Sequence, residues 1–322
     1  MAKHWHVRVA AVPLALIGAA PVSAQQYPAQ DIHLICGFAA GSGADVIVRF
    51  IAEKMKPMAG RPIIVENKAG AGGNIATEYV ARAKPDGYTI YITGASALAA
   101  NMHVLKNPGT DVGKSLQIVG TINKQPVMVA VSNTSTYKTI AELTAAMKEK
   151  GDKASYAIAN PSAKVVGAMY KEKAGLQAVE VYYKTGAEYL NDLASGAIDY
   201  AIPDNVLAMA RARAGSMRIL AVSTSERMLA APEYPTMTEL GYPMDLRGWW
   251  AGLVPTGTPK PVIDKLNEWI SQIVASEDGK KFLAGIASDP WVSKPEEGQA
   301  YFLQTIKQWG DYVKIAKIEP QG

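Results

Sequence analysis

Short, uniformly apolar runs alternate along the chain with longer stretches in which apolar residues recur every three or four positions. Ile32-His33-Leu34-Ile35-Cys36-Gly37 reads as a buried strand, and Val46, Ile47, Phe50, Ile51 and Met55 mark one face of a helix from about Ala44 to Met58. The pattern repeats with strand Ile63-Ile64-Val65, helix Ile75 to Ala83, the turn Lys84-Pro85-Asp86-Gly87 and strand Thr89 to Thr93. A second series follows the strand Gln117 to Thr121 and the apolar segment Val127 to Val131. It comprises helix Ile140 to Lys150, strand Ala154 to Ala159, helix Ala163 to Ala174, strand Val179 to Tyr183, helix Ala187 to Ser195, strand Asp199 to Pro203, helix Val206 to Ala214 and strand Arg218 to Ser223. Trp249 to Val254 reads as a further buried strand, and Pro261 to Ala275 and Glu296 to Ala316 as long amphipathic helices. This alternation predicts an α/β protein with two mostly parallel sheets, each flanked by helices.

Composition narrows the possible functions. The 322 residues are 48% hydrophobic, and 33 Lys plus Arg stand against 29 Asp plus Glu without a basic block, so no nucleic-acid partner is expected. The single cysteine, Cys36, excludes an intrachain disulfide and a cysteine-based zinc cluster. Residues 1–24 read as a signal peptide: Lys3, His4, His6 and Arg8 form a basic start, Val9 to Ala20 an apolar run, and Val22-Ser23-Ala24 a cleavage site after Ala24. The run is shorter than the roughly 20 residues of a membrane span, so an exported, periplasmic protein is expected.

Candidate chemistry lies in the loops that follow the strands. Residues 38–45, 70–74, 94–101 and 159–164 fall at the carboxyl ends of strands, where open α/β sheets bind ligands. Phe38-Ala39-Ala40-Gly41-Ser42-Gly43 lets backbone approach closely at a helix start, which suits a carboxylate or phosphate. Catalytic patterns fail one by one. Gly109 to Ser115 is one residue short of a phosphate-binding P-loop, with Pro108 where its first glycine belongs, and reads as a surface turn. Gly70 to Ile75 lacks the last glycine of a dinucleotide fingerprint, and neither Ser42 nor Ser96 stands in a nucleophile elbow. His33 within a strand and His103 in a loop read as structural, and Glu296-Glu297 as a solvated helix start. No catalytic residue, metal or cofactor is expected. The competing readings are an α/β hydrolase or transferase and a sensor module feeding a membrane kinase.

Several longer runs carry a family resemblance. Ile32 to Asp45, Pro62 to Ile75, Pro85-Asp86-Gly87-Tyr88-Thr89, Tyr183-Lys184-Thr185-Gly186, Asp192-Leu193 to Gly196, Pro255-Thr256-Gly257-Thr258-Pro259 and Trp309 to Lys314 closely resemble the Bug-type extracytoplasmic solute-binding receptors of tripartite tricarboxylate transporters. The resemblance implies a type II periplasmic-binding-protein fold, with domain 1 formed by residues 25–124 and 246–322 and domain 2 by 125–245. It also implies a monomer that captures a small carboxylate and passes it to membrane permease subunits. The site residues it implies are Phe38, Ala39, Gly41, Ser42, Gly43 and Asp45, then Ser96, then Asn160, Ser162, Ala163 and Lys164, and finally Asp204 and Asn205. Asp45 is expected to cap the helix or orient its loop.

The chain departs from the family where Asn160 to Val166 and Ala97 to Ala100 replace commonly polar stretches. If Ala97, Leu98, Ala99, Val165 and Val166 face the cleft, hydroxylated acids such as citrate and malate bind poorly. Terephthalate is then the first expectation and adipate the second, with one carboxylate on the 38–45 loop and the other met by Lys164 or by backbone N–H groups of the second domain.

Overall fold

Residues 1–2 and 27–321 are described by a computed structural model; the rest of the expected signal peptide and its cleavage point lie outside the described residues. The first series of elements is β1 (Ile32–Cys36), α1 (Gly43–Ala59), β2 (Ile63–Asn67), α2 (Asn74–Ala81), β3 (Thr89–Gly94), α3 (Asn101–Val104), α4 (Val112–Ser115) and β4 (Leu116–Pro126). The second is β5 (Met128–Ser132), α5 (Ile140–Lys150), β6 (Ser155–Ile158), α6 (Pro161–Ala174), β7 (Val179–Tyr182), α7 (Leu190–Ser195), β8 (Tyr200–Ala201), α8 (Asn205–Arg213) and β9 (Met217–Val222). The chain then returns through β10 (Arg247–Pro255), α9 (Lys260–Ala275), α10 (Glu277–Gly285), β11 (Asp289–Pro290) and α11 (Pro295–Ile315).

Two sheets result, a six-stranded one ordered β11-β4-β10-β3-β1-β2 and a five-stranded one ordered β7-β6-β8-β5-β9. The parallel expectation holds only within the βα units: β1 pairs parallel with β2 and β3, and β6 with β7 and β8. The sheets are otherwise mixed. β10 runs antiparallel to β3 and β4, and β5 antiparallel to β8 and β9. The reason is connectivity, since β5 and β10 each arrive from the other lobe and enter their sheet from the hinge side.

Local sequence explains the helices that matter for function. In α1, Ser42 caps the amino end, Ile47, Val48, Ile51 and Met55 are buried, and Gly60 ends the helix in the left-handed region at φ 59°. Val46, expected on the same face, is exposed, while the Phe50 ring stacks on Phe282 of α10 at 3.9 Å. Apolar residues of α9 such as Leu266 and Ile270 pack with Ile90, Ile92 and Val119 of the first sheet. Trp309 and Val313 of α11 join a core with Val166 and Met169 of α6, so the last helix reaches from β4 to the second lobe.

Between the lobes the chain crosses at Val127 and again between β9 and β10. Ser223 laces the two crossings together. Its backbone exchanges hydrogen bonds with Val127 O (2.9 Å) and Leu246 N (2.9 Å), and its hydroxyl accepts from Val127 N–H (3.0 Å) and donates to Leu246 O (2.7 Å).

Candidate functional site

One cavity of about 80 Å³ lies between the lobes, walled by the loops that follow β1, β3, β6, β7 and β8 and by the crossings at 125–127 and 248–250. It is several times the roughly 10–15 Å³ that one water requires, the scale of a small organic molecule. Phe38, Ala39, Ser42, Gly43, Ser96, Asn160, Ser162, Asp204 and Asn205 line it together.

Three helices, α1, α6 and α8, begin at its wall. Each is capped by a side chain: Ser42 Oγ accepts from Asp45 N–H (3.3 Å), Asn160 Oδ1 from Ala163 N–H (2.9 Å) and Asp204 Oδ1 from Leu207 N–H (2.9 Å). The N–H groups of Gly43, Ala44, Ser162 and Asn205 occupy remaining first-turn positions, which have no intrahelical acceptor, at the positive ends of the helix dipoles, while Val206 N–H faces the Asp204 carboxylate.

The other expected residues do not line the cavity. Gly41 turns the loop at φ 77° and donates its N–H to Asp45 Oδ2 at 2.9 Å. Asp45 also accepts from Arg49 Nε (2.8 Å) and Asn67 Nδ2 (2.9 Å), and Asn67 in turn donates to Phe38 O (2.9 Å), so this buried carboxylate orients the loop from behind. Burial raises the Asp45 carboxyl, but the hydrogen bonds from Arg49, Gly41 and Asn67 outweigh it and hold the group below its ordinary range. Ala163 is fully buried. Lys164 binds Glu180 of β7 at 2.9 Å and reaches Gln321 at 3.4 Å, because a counter-charge on the neighbouring strand draws it away from the cavity. Val165 and Val166 are core residues, as are Ala97, Leu98 and Ala99, so none of these supplies an apolar cavity wall.

Two of the glycine-rich and small-residue segments behave differently from expectation. Residues 96–100 form a wide helical turn that continues into α3, not a loop, and Asn101 Nδ2 donates to Gly72 O at 3.1 Å. The 70–74 segment thus stands behind the cavity wall. His103 lies on α3 with Nε2 2.6 Å from Ile306 O, and His33 Nδ1 lies 2.5 Å from Glu66 Oε1. Part of the expected surface turn near residue 112 is the one-turn α4, with Lys114 paired to Asp111 at 2.9 Å.

Gln125, Lys184, Thr185, Gly186 and Trp250 also line the cavity, although none of them was expected as a site residue. Lys184-Thr185-Gly186 follows β7 as the other lining loops follow their strands, so the same carboxyl-end rule would have found them. Lys184 is exposed, and its ammonium forms no salt bridge among the described residues, while its backbone N–H donates to Glu188 Oε2 at 3.1 Å. Asp204, by contrast, is pushed above the ordinary carboxyl range by burial.

The model of the tripartite tricarboxylate transporter family receptor matches residues 47–318. Protein BugT of Bordetella pertussis is 28% identical over 92% of this chain and 92% of its own length. The structure of the periplasmic binding protein BugD superimposes with a TM-score of 0.84 at 31% identity, covering 92% of this chain and 100% of that one. The structure of R. palustris Rpa4515 with adipate gives 0.86 at 27% identity, again over 92% and 100%.

Proposed function

The chain belongs to the tripartite tricarboxylate transporter receptor family, and from that premise we propose that it is a periplasmic solute-binding protein that captures a small dicarboxylate unchanged and delivers it to a membrane permease. The observation that carries this reading is the convergence of three capped helix starts on one cavity between the lobes, which supplies oriented N–H donors for an anion.

The body of the ligand is apolar in this reading. Phe38, Ile47, Val127, Val206 and Trp250 give the cavity apolar side chains, and contact with these residues stabilises a hydrocarbon chain by about 25 cal/mol per Å² buried. These side chains take the part expected of Ala97, Leu98, Ala99, Val165 and Val166. A flexible straight-chain diacid adapts to a cavity of about 80 Å³ more readily than a rigid ring does, so adipate ranks before terephthalate. The similar protein bound to adipate supports that order. Calorimetry should find adipate and terephthalate at least about tenfold tighter than malate and citrate, whose hydroxyl groups would each cost about 1–3 kcal/mol if left unpaired. Tighter binding of malate or citrate than of both apolar diacids would refute the assignment, and chemical conversion of the bound acid would refute the receptor reading.

The domains proposed from sequence, 25–124 with 246–322 and 125–245, would close on the ligand about the crossings that Ser223 joins. Small-angle scattering should show the radius of gyration fall on saturation with ligand; an unchanged profile would indicate a rigid site. Lys184, whose backbone N–H donates to Glu188 Oε2 at 3.1 Å but whose ammonium forms no salt bridge among the described residues, is assigned to the second carboxylate. Lys184→Met should weaken diacid binding about three- to tenfold while leaving a monocarboxylate of similar length unaffected. Equal losses for both would remove Lys184 from this role.

A further inference from the structure

A carboxylate side chain lines the cavity to which a carboxylate ligand is assigned. Asp204 caps α8, its Oδ1 is occupied by Leu207 N–H at 2.9 Å, and the residue is pressed against the first turn of α1. A Cβ built on Gly43 would collide with Asp204 Oδ1 and stand 3.1 Å from its Cγ. The inference rests on the function proposed above. A ligand carboxylate docked on the Gly43 and Ala44 N–H groups would then lie within a few ångströms of Asp204.

Two carboxylates so placed do not both remain ionised, because like charges repel strongly where water is excluded. We propose that the protein takes up one proton from solvent on binding its ligand, and that Asp204 holds it, changing from a repelling anion into a hydrogen-bond donor to the ligand. An O–H bond forms on the Asp204 carboxyl, and no bond of the ligand breaks.

The charges around Asp204 are consistent with this. Lys184 is the cation among the lining residues, and a diacid brings two negative charges to it. Behind the 38–45 loop, Asp45 and Arg49 are paired with each other at 2.8 Å. Tyr189, from the segment before α7, is held neutral by burial and by Asp204 itself. The crossing at 125–127 and the β10 residues at 248–250 contribute no titratable group to the wall. Burial raises the Asp204 carboxyl above its ordinary range in the ligand-free protein, while the Leu207 and Val206 N–H groups still favour the anion that a ligand carboxylate would meet.

Calorimetry of adipate binding at near-neutral pH, in buffers of different ionisation enthalpy, tests the proposal. The apparent enthalpy should vary with buffer with a slope of about one proton taken up, and affinity should weaken by up to about tenfold per pH unit above the free-state pKa of Asp204. Asp204→Asn keeps a side chain of equal capping strength and offers an N–H to the ligand, so it should bind with a buffer-independent enthalpy and a flat pH profile. Wild-type binding without proton uptake would overturn the proposal whatever the variant does. So would a folded Asp204→Asn protein that still takes up the proton. Failure of every carboxylate in the panel to bind would instead overturn the receptor reading, and this inference with it.

Discussion

Gly43→Val should weaken carboxylate binding by at least about a hundredfold, or about 2.7 kcal/mol, without unfolding the protein. Gly43 opens α1 and needs no left-handed backbone, so a side chain there is compatible with the helix. What it meets is the other lobe: a Cβ would collide with Asp204 Oδ1 and lie 2.9 Å from Val206 Cβ. The clash exists only when the lobes are together, so the variant is held open while each lobe keeps its core. Calorimetry should show the loss, and thermal melting without ligand should stay near wild type. Gly41→Ala offers the contrast. Nothing lies within 4 Å of its Cβ position, but φ is 77°, so that change strains the loop by about 1 kcal/mol and weakens binding far less. Normal binding by Gly43→Val would mean that the ligand is not held between the lobes.

Asp45→Ala should cost about 2–3 kcal/mol of stability and most of the binding, although Asp45 does not line the cavity. The change leaves Gly41 N–H and one Asn67 N–H without their acceptor, and Arg49 with only its bond to Asn67 Oδ1, so the loop of residues 38–43 loses its support. The effect has a pH signature. A carboxyl whose pKa is lowered by folding stabilises the native state above the unfolded value, near 3.9, and that contribution disappears as pH falls through the lower native value. The stability gap between wild type and Asp45→Ala should therefore be full at neutral pH and narrow under strong acid. A gap independent of pH would show that the charge of Asp45 does not hold the loop.

Local signals in the sequence were legible where they agreed with the tertiary structure. Helix α5 is bounded as expected because Thr139 caps it and Ile140, Leu143, Thr144 and Met147 form one buried face. The 38–45 loop was legible because small residues between a buried run and a helix start leave the backbone N–H groups open to close approach by an anion. Other features depend on distant partners. Residues 96–100 read as a loop because small residues follow a strand end there, yet the burial of Ala97 to Ala100 lets them coil between the lobes. Helix α10 is short and starts from Ser276, Glu277 and Asp278, which read equally well as a surface turn. Lys164 was drawn toward the cavity by its neighbours in sequence, whereas Glu180 on the adjacent strand fixes its position. Antiparallel insertion of β5 and β10 is likewise a property of the crossings, invisible to any local window.

The position of β10 dictates an order of assembly during synthesis and export. The five strands of the second sheet come from one unbroken stretch, Met128 to Val222, and can pair as soon as that stretch has emerged. The first sheet cannot, because β3 and β4 are joined only through β10, whose residues are made more than a hundred positions after β3. Until Arg247 to Pro255 arrives, the amino-terminal half therefore waits with one edge of β3 and both edges of β4 unpaired, the kind of surface that recruits other chains. A nascent chain halted before residue 247 should thus protect its second sheet from proteolysis while leaving the first exposed to it.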